Sequence, residues 1–318
     1  MQRENLKLNT FHSFDPVRWV SIVIFWAACF PAQILAQQQG QKTFPSAEQA
    51  SSALATAAKN NDEKAMLGIL GPDAKTIISS GDDVEDAHAR ETFVEKYQQM
   101  HRLVGEPDGT TTLYIGAENW PTPIPLVSKG KSWYFDTDRG KKEILYRRIG
   151  ENEVSTIRVC QELVAAEKEY YSTHHNEYAQ KIMSAEGLRD GLYWKTDDSG
   201  FKSPIGPLVA SAVAEGYRTT GDGAPPSPYR GYYYHILTRQ VTAQGAAKDY
   251  VSNGKMVSGF AFVAYPAEYK SSGVMTFIVN QDGIVYQKDL GKETALTGKT
   301  MKEYSPDSSW QKAEDQQK

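Results

Sequence analysis

The 318-residue chain is short of cysteine, of clustered charge and of long apolar runs, and each shortage excludes something. Two cysteines, Cys29 and Cys160, cannot supply a disulfide framework or a four-cysteine zinc site. The 35 lysines and arginines are scattered among 39 acids, for a net charge of −4, and form no basic block. Recognition of nucleic acid rests on such blocks, so no nucleic-acid partner is expected. No stretch reaches the roughly 20 apolar residues that cross a bilayer. Catalytic motifs are missing as well: there is no G-x-S-x-G elbow, no H-E-x-x-H and no C-x-x-C. Gly298-Lys299-Thr300 and Gly130-Lys131-Ser132 end like phosphate loops, but the earlier glycine each requires falls on Glu293 and Pro125. A dinucleotide pattern at Gly221-Asp222-Gly223 fails at Pro226. No cofactor is expected.

What is present begins with an address. Arg3, Lys7 and Arg18 precede an apolar run from Trp19 to Phe30, and Ile34-Leu35-Ala36 supplies the small-residue end of a secretory signal, with cleavage between Ala36 and Gln37. An uncleaved N-terminal anchor is the alternative reading. A second route, lipidation at Cys29 after Trp26-Ala27-Ala28, has Trp26 where an aliphatic residue is usual and Phe30-Pro31-Ala32 where a polar tether is usual. Cleavage leaves 282 residues with a net charge of −5 and only Cys160. The expected location is periplasmic or secreted, with no membrane span after signal removal.

Residues 37–45 read as a flexible lead-in, followed by two domains, 46–150 and 151–310, and a polar tail, 311–318. Ser46 and Gln49 form a capping box before a small-residue stripe at Ala50, Ala53, Leu54, Ala57 and Ala58. Asp62 caps a second helix that stops at Gly71-Pro72, and a third spans about Val84 to Leu103. Strands follow at Thr111–Ile115, Ile124–Val127 and Ser132–Phe135. Helices first and hairpins afterwards indicate α+β rather than Rossmann-type alternation. This order, with Ala58, Asp62 and Met66, resembles the nuclear-transport-factor-2-like cone, which implies helices on a curved antiparallel sheet around a pocket.

The second domain opens on a helix from Glu151 with an apolar stripe through Val154, Ile157, Cys160, Val164 and Tyr171. A Gly/Pro-rich connection leads to strands at Gly231–Leu237, Gly259–Tyr265, Gly273–Val279 and Ile284–Gln287. Ala166, Tyr170, Tyr178-Ala179, Phe277, Val279, Gly283 and Val285 resemble the globular part of type IV pilins and pseudopilins, one long helix plus a β-meander. Arg147, Arg148 and Glu151 stand where the pilin's apolar extension would begin, so no pilin-type polymerisation is expected. The segments W-P-x-P-I-P-L-V, K-S-W-Y-F-D-T and G-Y-Y-Y-x-I-L-T, with the runs Phe260–Tyr269 and Gly273–Gly291, resemble the uncharacterised bacterial exported family known as domain of unknown function 2950 over about 44–310. That resemblance implies no established activity.

Candidate residues are few. His174-His175 with Glu177 is read as a solvated helix end, Asp136–Gly140 as a turn because Arg139 stands at a ligand position, and Cys160 as a core thiol. The remaining feature is aromatic: Trp120, Trp133, Tyr232, Tyr234 and His235 are the candidate binding surface, Tyr and Trp joining an apolar body to a polar tip. The expected function is a non-catalytic binding or assembly factor of the bacterial envelope, its partner an envelope protein or polysaccharide. A hydrolase using His235 or His101 with two carboxylates, sited in the N-terminal cone or between the domains, is the alternative. A small-molecule or lipid carrier is another, requiring an apolar cavity of about 300 Å³ or more in the cone.

Overall fold

In the computed structural model, residues 37–195, 202–215, 217, 227–242 and 245–313 are described. The expected leader, with Cys29 and Ala36, lies outside them, as do the glycines and prolines at 221–226 and the end of the polar tail.

Helix α1 (Ala47–Lys59) starts where its capping box indicates, the Ser46 hydroxyl accepting from the Gln49 amide. Its alanines let α2 (Glu63–Leu70), capped by Asp62, pack closely, and a short α3 (Lys75–Ile78) follows. Helix α4 (Asp83–Gln99) is shorter than its apolar period suggests. Met100 turns extended, and the segment expected to continue the helix becomes β1 (His101–Gly105), paired along its length with β2 (Thr111–Ile115). A short β3 (Trp120–Pro121) joins the other side of β2, and β4 (Leu126–Lys129) and β5 (Ser132–Phe135) complete an antiparallel sheet. Leu113, Ile115, Leu126 and Phe135 are buried on its inner side.

Helix α5 (Thr137–Thr173) does not begin at Glu151. It starts directly after β5, with the Thr137 hydroxyl donating to the Leu70 carbonyl, and runs for 37 residues, about 55 Å. Gly150, the expected boundary between domains, lies inside it, and the described residues form one compact unit around two hydrophobic clusters. The first cluster is built from residues between Phe44 and Phe135; the second joins Ile157–Tyr170 of α5 to residues as late as Tyr304.

The connection read as irregular contains α6 (Gly206–Ala214). Strand β6 (Tyr232–Leu237) then begins the second sheet, and β7 (Arg239–Val241) and β8 (Ala247–Asp249) form a side ribbon. The hairpin of β9 (Val251–Ser252) and β10 (Lys255–Met256) precedes β11 (Ala261–Pro266), β12 (Met275–Asn280) and β13 (Tyr286–Asp289). Helix α7 (Thr294–Thr300), β14 (Glu303–Tyr304) and β15 (Gln311–Lys312) end the described chain. The main sheet has the order β15-β13-β12-β11-β6, all antiparallel. Every residue of β11 is buried because α5 covers one face and α7 the other, with Gly298 packed on the Tyr265 ring. The protein is α+β, helices leading and strands dominating the second half, as its segment order indicates.

Candidate functional site

Two hydrophobic clusters on one helix need a polar seam between them, and that seam builds the site. Asp82 caps α4, its carboxylate accepting from the Val84 and Glu85 amides. Its second oxygen reaches across the chain to the Tyr217 hydroxyl at 2.8 Å and the Gly231 amide at 2.9 Å. Gly231 has φ +74°, and a Cβ there would lie 2.5 Å from Asn152 Nδ2, so this junction requires glycine. Asn152 donates to Glu85 and to the Ser272 carbonyl. Burial pushes the Glu85 carboxyl up to about 7, Arg148 and Asn152 opposing the shift while Asp82 and Asp86 add to it. Tyr217 also accepts from the Arg230 amide, and the Arg230 guanidinium pairs with Glu215 at the end of α6.

This stitching holds α6 and the 227–230 segment opposite α5, leaving a groove of about 510 Å³. On α5 its wall is Ser155, Arg158, Glu162, Ala165 and Glu169, spaced three and four apart and therefore on one helical face. The facing wall offers Pro204, Ile205, Pro207, Leu208, Tyr229 and Arg230. An adjoining apolar pocket of about 220 Å³ shares Val159, Ile205, Leu208 and Tyr229 with the groove and continues to Leu163, Val209 and Tyr234. The facing side of the groove is hidden in the sequence by the 34 residues between Glu169 and Pro204, whereas the α5 stripe is visible in its three- and four-residue spacing.

The aromatic residues singled out in the sequence do not share one surface. Trp120 is 42% exposed on β3, with the Arg147 guanidinium over its ring at 5.8 Å. Trp133 packs against the first cluster, where its backbone pairs with Phe44. Tyr232 is a correction: it is fully buried, its hydroxyl donates to the Met275 carbonyl, and it forms no surface. Tyr234 borders the apolar pocket and bonds Thr156 of α5. His235 points to the opposite face of β6, where Nε2 meets the Met301 carbonyl at 2.9 Å. Only Tyr234 contributes to the groove region.

The interior carboxylates serve backbone amides: Asp86 accepts from Ser80, Glu153 from Val274 and Met275, and Glu167 from Ala179. His101 stacks on Tyr97 and meets its carbonyl, and neither it nor His235 contacts a carboxylate among the described residues. Glu268 and Asp282 lie beyond opposite ends of the β11–β12 hairpin, separated by more than the length of β11, about 17 Å by strand rise. Burial pushes the Cys160 thiol up to about 12, which leaves it no nucleophilic thiolate. Among the described residues no three His, Cys, Asp or Glu side chains converge to hold a metal. The inward side chains of the first sheet are buried, and the trough beside α1, about 850 Å³, is an open surface that mixes Lys42, Glu48 and Gln49 with Phe44, Ala57 and Ile69.

No curated protein and no solved structure matches the chain, so the likenesses to the nuclear-transport-factor-2 cone and to pilins gain no support from known folds. One family model does match, over residues 41–313, and the chain belongs to that family, described as "Protein of unknown function (DUF2950)".

Proposed function

We propose that the protein is exported to the bacterial envelope and acts there as a non-catalytic binding or assembly factor through the groove beside α5. One observation carries the reading: the groove joins an apolar wall and side pocket to a stripe of charged side chains, while Asp82, Asp86 and Glu153 are occupied with backbone amides. Concave sites with a mostly apolar lining and a few placed polar groups are where proteins hold ligands. Export rests on the leader read in residues 1–36.

Two measurements test the reading. Residues 1–36 fused to alkaline phosphatase should give periplasmic activity, and cytoplasmic retention would remove the export half. The purified protein should retain specific components of envelope extracts, and Leu208→Asp, which places a charge on the apolar wall, should release them. Retention that is the same in both proteins would move the site elsewhere.

A further inference from the structure

We infer that the groove beside α5 takes an extended peptide segment bearing an acidic group followed by basic residues, with one aliphatic or aromatic side chain seated in the adjoining pocket. The inference rests on the binding reading and specifies its ligand. Arg158, Glu162 and Glu169 lie along one wall and are exposed, and none has an ion-pair partner among the described residues. Eleven residues of helix separate Arg158 from Glu169, about 16 Å, which an extended peptide covers with about five residues. The wall thus runs from one positive charge to two negative ones, and its complement runs the other way. Among the described residues the only other cation in the lining, Arg230, is already paired with Glu215.

Between Glu162 and Glu169 the helix presents the small, exposed side chain of Ala165, with Ala166 buried beneath it, so a backbone can approach α5 closely there. Opposite, Ile205 and Leu208 open into the pocket of about 220 Å³, whose lining is mostly aliphatic. An apolar socket beside a charged track fits a peptide, whose side chains alternate in character. Saccharides are held by stacking on aromatic faces, and among the described residues Tyr229 is the single aromatic ring in the groove lining, Tyr217 and Tyr234 lying in the side pocket.

The test is fluorescence anisotropy with the labelled hexapeptide Asp-Leu-Lys-Leu-Leu-Lys, its charge-reversed form Lys-Leu-Asp-Leu-Leu-Asp, and a glucosamine hexamer as competitor. The protein is the chain purified after expression with its own leader. It should bind the first peptide at least about tenfold tighter than the second, with the preference weakening as salt rises. The double variant E162K/E169K changes only exposed positions and should invert the preference. If both peptides bind equally and L208D abolishes both, the groove remains the binding site and the inferred polarity is overturned. If neither peptide binds, or only the glucosamine oligomer does, the peptide assignment is overturned.

Discussion

Glu167 shows how one side chain can make stability depend on pH. It is fully buried on α5; one oxygen accepts from the Ala179 amide and the other has no partner among the described residues. Burial pushes its carboxyl up to about 8 from an ordinary value of 4.5, against the smaller opposing effect of the Ala179 bond. Tyr170 and Tyr178 face it, and both are themselves pushed above the ordinary tyrosine range. Between pH 4.5 and 8 the unfolded chain has lost this proton and the folded chain keeps it. Stability therefore falls as pH rises through that window, by at most about 1.4 kcal/mol per pH unit, and levels off above it. Glu85 adds a slope of the same sign up to about pH 7. Glu167→Gln keeps the shape and removes the titration. Its urea midpoint should change less than that of the wild type between pH 5 and 8 and should exceed it at pH 8; identical slopes would show that Glu167 ionises normally in the folded protein.

At the scale of elements, two glycines of α5 should respond oppositely to the same substitution. Alanine is favoured over glycine inside a helix by about 1 kcal/mol. At Gly150 a Cβ meets nothing within 4 Å, so Gly150→Ala should be neutral or stabilising by up to that amount. At Gly140 it would lie 2.5 Å from the Pro123 carbonyl oxygen, and Gly140→Ala should cost about 1–3 kcal/mol despite its propensity, a contrast that paired urea titrations would measure. The same glycines explain what could be read in advance. Helices α1 and α2, strands β2 and β5 and the end of α5 carry a cap or a clean period, and they were legible. The first half of α5 was not: Gly140, Lys141-Lys142, Arg147-Arg148 and Gly150 interrupt its apolar period because this stretch lies largely on the surface. Helix α6 buries no residue fully, so its sequence carries no stripe. The groove was not read in the sequence: Ser155, Arg158, Glu162, Ala165 and Glu169 have helical spacing but nothing there marks them as a wall, and the facing side depends on Asp82 meeting Tyr217 and Gly231, more than 130 residues away.

For the whole molecule the question is whether two hydrophobic clusters make one folding unit. Helix α5 touches both, through Ile144 in the first and Ile157–Tyr170 in the second, and the seam beside it is dense in buried and part-buried hydrogen bonds. Arg148 donates to the Thr76 and Ile77 carbonyls, and the Ser271 hydroxyl bonds the same Thr76 carbonyl from the far side. Separating the clusters would exchange these part-buried bonds for bonds to water, a net loss of about 0.5–1.5 kcal/mol each. The expected behaviour is one cooperative transition, with the indole signals of Trp133 in the first cluster and Trp194 in the second disappearing together in a denaturant series followed by NMR. Asp82→Ala uncaps α4 and leaves the Tyr217 hydroxyl and the Gly231 amide without their acceptor, a loss of about 2–4 kcal/mol. Because Asp82 holds both halves, its removal should move both indole midpoints by the same amount. A shift confined to Trp133, or separate midpoints in the wild type, would mean that the clusters unfold independently and that α5 breaks near Gly150, where the order of helix and strand segments suggested a boundary.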